Sequence, residues 1–202
     1  EHLRFAEVHG SKDEFVGRTR QFDAAVAYLE DESTSPLVVH GATGSGKTAL
    51  LARIVAELSP REGLIVRHIG VTPRSSDLRS LLTSLCAQLR RWNPKEGDVP
   101  SDVRELTQEF SEHLAAATAE RPLIVILDAL DQLSDADSGR LLRWLPTGPM
   151  PPHVKLIVSC LSDRLAGDPA GQPFVVLNAR RLEDRDLVDL DILTREEATS
   201  LL

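Results

Sequence analysis

Gly41, Gly46, Lys47 and Thr48 occupy the fixed positions of G-x-x-x-x-G-K-[ST] within Gly41-Ala42-Thr43-Gly44-Ser45-Gly46-Lys47-Thr48. That spacing suits the capture of nucleotide phosphates. Glycines let the backbone fold tightly and aim its N–H groups inward, and a helix starting at the end of the loop adds partial positive charge. The Lys47 ammonium would reach the β- and γ-phosphates, and the Thr48 hydroxyl would take one place on a Mg²⁺ ion. Ala49 carries the cradle into the helix. A second candidate follows downstream, where the apolar run Leu123-Ile124-Val125-Ile126-Leu127 ends in Asp128. A strand buried on both faces would deliver that carboxylate to its C-terminal end, to hold Mg²⁺ opposite Thr48. The same pattern arises when an Asp caps a turn or helix, and both readings stand. Asp131, followed by Gln132, is the acid near enough in sequence to polarise an attacking water, and it is equally readable as a solvated turn residue.

The elements that must position these groups follow from periodicity. Leu37 to His40 reads as the strand entering the loop, and Ala49 to Leu58 as the helix leaving it. Upstream, Phe22, Ala25, Val26 and Leu29 have helical spacing within 21–29. Leu64 to Ile69 reads as a second strand, and Thr72 to Asp77 as a loop and cap before a helix over 78–91. After a patternless loop over 93–100, a helix is expected over 103–119, the strand over 123–127, and a further helix over about 138–145. A proline-rich loop over 146–152 precedes two strand candidates, 156–158 and 174–177. This alternation predicts an α/β fold, a doubly wound parallel sheet with helices on both faces and ligands at the C-terminal strand ends.

Four side features complete the reading. His40, at the end of the first strand, could touch a phosphate or simply pack. His68 has no Cys or His at metal spacing and reads as structural. Trp144 reads as core or an interdomain contact, and Glu183-Asp184-Arg185-Asp186 as a solvated linker.

The 202 residues suit one large domain or one domain and the start of another, and 42% hydrophobic content supports a full core. A net charge of −8 argues against a nucleic-acid surface, which needs clustered excess Lys and Arg. Cys86 and Cys160 each lie in an apolar run and read as buried hydrophobes of a reducing compartment. Neither a membrane span nor a signal-peptide pattern is evident, so a cytoplasmic location is expected. The expected division is a lead-in over 1–14, a nucleotide-binding domain over 15–182, and a linker with the start of a helical lid over 183–202. Thr194 and Glu197 would cap that last helix, as in a module belonging to a longer chain.

Phe15-Val16-Gly17-Arg18, the 41–48 loop, the stretch Leu127 to Leu133, Trp144-Leu145-Pro146 and the stretch Val154 to Ser159 occur in the order of NACHT-type STAND NTPases, signalling relatives of the AAA+ ATPases. The stretch Thr72 to Leu82 with Cys86-Ala87-Gln88-Leu89 most resembles the branch that holds the NACHT-and-WD-repeat proteins, the telomerase-associated protein and nephrocystin-3. The resemblance implies an ATP/ADP switch, a homo-oligomer in the ATP state of the full-length protein, slow Mg²⁺-dependent hydrolysis, and C-terminal WD or TPR repeats in the parent chain. It puts Val16, Gly17 and Arg18 beside the adenine; from the residues alone they are also a turn before a helix. Lys47, Asp128 and Asp131 would carry hydrolysis. Two departures bear on activity. Gln132 stands where many relatives have an acid, which predicts feeble hydrolysis, and Ser159-Cys160-Leu161-Ser162 stands where many carry a phosphate-sensing Arg. Arg164 is the next candidate sensor, or else a solvated loop charge. The competing functions are a conventional P-loop ATPase or kinase with rapid turnover, and a nucleotide-binding scaffold without catalysis.

Overall fold

The computed structural model describes residues 18–59, 61–163, 168–180 and 182–190. Val16, Gly17, Arg164 and the expected lid helix after residue 190 lie outside the described residues.

Among the described residues five parallel strands form one sheet: β1 Leu37–Gly41, β2 Leu64–His68, β3 Leu123–Asp128, β4 Val154–Leu161 and β5 Leu187–Asp189, in the order β2-β3-β4-β1-β5. Every residue of β1 is buried, as an apolar strand with neighbours on both edges and helices on both faces should be. Its side chains alternate between two cores. Leu37 and Val39 join Ala25, Tyr28, Leu50 and Ile54 under α1 (Thr19–Glu30) and α2 (Lys47–Leu58). Val38 joins Leu82, Leu85, Phe110 and Leu177 under α3 (Leu78–Trp92), α4 (Val103–Ala115) and α5 (Gln172–Asn178). The sheet is therefore doubly wound. Asp77 caps α3 by accepting from the Ser80 N–H at 2.8 Å, and Asp102 caps α4 by accepting from the Arg104 N–H at 2.8 Å. Trp144 is core, its ring centroid 6.2 Å from that of Phe110.

Three expectations are corrected. The helix over 138–145 is instead an irregular 3₁₀ segment, Ala136–Leu141, interrupted where Asp137 and Ser138 turn to φ 52° and 57°. Tertiary bonds take over there: the Trp144 indole donates to the Gly139 carbonyl at 3.0 Å, and Arg180 donates to the carbonyls of Leu142 and Pro146 at 2.9 and 2.8 Å. The strand candidate 174–177 lies in α5, where Pro173 occupies the first turn, a position at which proline favours helix. In the acidic run before β5, Glu183, Asp184 and Arg185 are exposed as expected, whereas the last residue is not. Asp186 is 1% exposed and accepts from the Ser33 hydroxyl at 2.9 Å and the Glu183 N–H at 3.1 Å. It leads into β5, which pairs with the free edge of β1 (Val39 opposite Val188), so the sheet continues beyond residue 182.

Candidate nucleotide-binding site

β1, β4 and β3 lie side by side, and their C-terminal ends carry the loop of 41–48, Ser159 and Asp128. Gly44 and Gly46 adopt φ 80° and 95°, a region costly for residues with a Cβ. A Cβ at either would meet nothing within 4 Å, so backbone conformation, not crowding, calls for glycine there. Gly46 is the N-cap of α2, and the first i→i−4 bond runs from Leu50 to the Gly46 carbonyl at 2.9 Å. The N–H groups of Lys47, Thr48 and Ala49 thus belong to a first turn that has no preceding helical carbonyls. Lys47 lays its ammonium across the loop, donating to the Gly41 and Ala42 carbonyls at 2.9 and 2.7 Å. Arg18, at φ 64°, donates from its guanidinium to the Ser45 carbonyl at 3.4 Å and to the Leu190 carbonyl. It thereby ties the loop to the residue that follows β5.

At the end of β3 the chain turns sharply. Ala129 sits in the left-handed region (φ 63°, ψ 56°), which a small residue tolerates at lower cost than a bulky one, and the 3₁₀ turn Leu130–Gln132 follows. Asp128 is 3% exposed; its Oδ2 lies 3.0 Å from His68 Nδ1, and its Oδ1 accepts from the Ser159 hydroxyl at 2.6 Å. Ser159 Oγ in turn accepts from the Ala129 N–H at 2.8 Å. Asp131, 4% exposed, accepts at Oδ2 from the Gln132 amide at 2.6 Å, while its buried Oδ1 meets no donor among the described residues.

A cavity of about 440 Å³ is lined by Lys47, Thr48, Asp128, Asp131 and Ser159 together with Gly44 and Gly46. The residues fit a phosphate-bearing ligand: N–H groups of a helix N-terminus, an ammonium, and glycines whose open side faces space. Hydroxyl and carboxylate oxygens at Thr48 and Asp128 are the hard donors that suit Mg²⁺, which takes few protein ligands and keeps waters or phosphate oxygens as the rest. Among the described residues no cluster of three or more His, Cys, Asp or Glu could hold a metal on its own. His40 packs: its ring centroid is 4.7 Å from that of Phe174, and Nδ1 is 3.2 Å from Ser162 Oγ. Burial pushes the Cys86 and Cys160 thiols up to about 12, which leaves neither as a thiolate nucleophile. The contacts of His68 and Ser159 with Asp128 escaped the sequence reading, because only the strand pairing brings these residues together.

The parallel sheet, with a glycine-rich loop opening a helix at its C-terminal edge, defines a P-loop nucleotide-binding module. Residues 14–158 match the family described as AAA ATPase domain, and the chain belongs to it as a NACHT-type P-loop NTPase. The chain is 39% identical over 141 residues to NACHT and WD repeat domain-containing protein 2 of Mus musculus, covering 64% of this chain and 8% of that protein. It is 31% identical over 145 residues to NACHT domain- and WD repeat-containing protein 1 of Homo sapiens, covering 67% of this chain and 9% of that protein. The chain thus spans less than a tenth of the length of these curated relatives. Among the described residues no helix is long and apolar enough to cross a membrane.

Proposed function

We propose that the chain is an ATP/ADP-binding module that acts as a nucleotide-dependent conformational and oligomerisation switch with slow Mg²⁺-dependent hydrolysis. On this reading it works inside a larger protein that carries C-terminal WD repeats. The observation that carries the reading is the convergence of Lys47, Thr48, Asp128 and Asp131 on one cavity at the strand ends. The loop N–H groups and Lys47 bind and orient the phosphates, and Lys47 neutralises charge that develops on the γ-phosphoryl group. Thr48 and Asp128 hold Mg²⁺, which supplies further neutralisation when bound. Asp131 Oδ1 positions the attacking water. Gln132 ties up the other oxygen of that carboxylate and adds no second acid, which keeps turnover slow. Arg18, joining the loop to the segment after β5, is the link through which phosphate contacts would be felt outside the sheet.

The test is to identify co-purified nucleotide after denaturation and to follow single-turnover hydrolysis with Mg²⁺ and ATP. Retained ADP, with turnover below about one per minute against the ~10 per second of a typical enzyme, is the expected result. Fast multiple turnover would point to a conventional ATPase, and bound but uncleaved ATP to a scaffold. Lys47→Ala is expected to abolish tight binding, and unchanged affinity in a titration would overturn the site assignment.

A further inference from the structure

Asp128 is gripped from both sides. β3 lies between β2 and β4, and the pairing register sets His68 of β2 directly opposite Asp128. A carboxylate only accepts, so the contact at 3.0 Å requires the hydrogen on His68 Nδ1. On the other side the Ser159 hydroxyl donates to Oδ1 at 2.6 Å, and its own orientation is set by the Ala129 N–H that donates to it at 2.8 Å. His68, Asp128 and Ser159 are 2%, 3% and 0% exposed, so water competes little for these bonds.

An Asp side chain left to itself turns broadly about χ2. With one donor on each oxygen, this one does not. Each oxygen keeps a further acceptor site, and Asp128 lines the cavity that also holds Thr48. Carboxylates that ligate metals are characteristically held by an outer layer of hydrogen bonds that fixes their orientation. We infer that His68 and Ser159 are positioning residues that set the Asp128 carboxylate for the metal ion accompanying the nucleotide. The inference rests on the nucleotide-site reading given above. It assigns His68 a role that metal-ligand spacing could not reveal, because His68 acts through another residue and ligates nothing itself.

The test separates metal from nucleotide. Binding of a fluorescent ADP analogue is titrated with Mg²⁺ and with excess EDTA, for the wild type, His68→Leu, His68→Asn and Ser159→Ala. Leu fills the space without a donor, whereas the Asn amide nitrogen stands where Nδ1 stood. His68→Leu and Ser159→Ala are expected to weaken the Mg²⁺-dependent component about 10–100-fold, leaving metal-free affinity within about twofold. His68→Asn restores the metal dependence. Equal loss with and without Mg²⁺, or an unchanged Mg²⁺ midpoint in both His68→Leu and Ser159→Ala, would overturn the positioning role. Absence of nucleotide binding by the wild type would instead overturn the reading on which it rests. Thermal unfolding of each ligand-free variant identifies any loss that comes from folding, and Ser159→Ala, a one-atom deletion, keeps the test decisive if His68→Leu fails to fold.

Discussion

Among the described residues, Asp131 is anchored by one of its two oxygens. Gln132 donates to Oδ2 at 2.6 Å, and Gly70 packs against Gln132 so closely that a Cβ there would come within 2.8 Å of the Gln132 Cβ. Oδ1 is buried in a residue that lines the cavity, with no donor among the described residues, an arrangement that costs free energy unless some other group, a ligand or water supplies a hydrogen. Asp131→Asn removes the negative charge and half of the acceptor capacity while keeping the shape. Under the proposed role it lowers single-turnover hydrolysis about 100-fold and leaves nucleotide affinity within about threefold. Parallel hydrolysis and equilibrium-binding measurements check this, and wild-type turnover in the variant would remove Asp131 from the water-positioning role. Local spacing was enough to pick out the 41–48 loop, Asp128 and Asp131, which the fold brings to one cavity. The His68 and Ser159 partners of Asp128 were not legible in the sequence, since their sequence separations of 60 and 31 residues carry no local pattern.

α3 and α4 are joined by an ion pair between a half-buried Arg90 and a buried Glu109. Arg90 donates to both oxygens of Glu109 at 2.7 Å, and Glu109 is 3% exposed. The guanidinium beside it holds the Glu109 carboxyl below its ordinary value of 4.5, and burial holds the neighbouring His113 imidazole below its ordinary 6.5. Both groups therefore bind fewer protons in the folded than in the unfolded chain, so both stabilise the fold at neutral pH. The His113 contribution fades as pH falls below 6.5, and that of Glu109 as pH falls below 4.5. Glu109→Gln leaves the guanidinium with a neutral partner beside the Gly97 and Asp98 carbonyls it already meets, and should cost about 2 kcal/mol at pH 7. In urea unfolding followed from pH 7 to 3, the variant starts lower and falls less steeply below pH 4.5 than the wild type. These two helices were readable from leucines at helical intervals and Asp caps. The misread elements are short ones: an apolar run of four residues, Phe174 to Leu177, does not distinguish strand from helix, and β5 is three residues long. For the segment after Asp135, carbonyl capture by Arg180 and the Trp144 indole outweighed local periodicity, and neither bond has a local signature.

At the scale of the whole molecule, the fold class was legible because strands buried on both faces are almost uniformly apolar, whereas the strand order β2-β3-β4-β1-β5 depends on contacts that no local pattern reports. That order has a thermodynamic consequence. The candidate site draws its groups from the ends of β1, β3 and β4, the middle of the sheet, and the helix that the loop opens packs into one of the two cores. A nucleotide held there contacts elements that cannot separate without breaking the sheet, so its binding free energy opposes global unfolding. Ligand at 100 times its dissociation constant adds about 2.7 kcal/mol. For a domain of this size each kcal/mol raises the midpoint by about 2–4 °C, which gives an expected rise of about 5–10 °C with saturating Mg²⁺ and ADP or ATP. Lys47→Ala, without the ammonium that spans the loop, shows no rise at the same nucleotide concentration. Differential scanning calorimetry on wild type and variant decides the matter. A rise in both proteins would mean that nucleotide binds elsewhere, and a rise in neither would remove the cavity at the strand ends from nucleotide binding altogether.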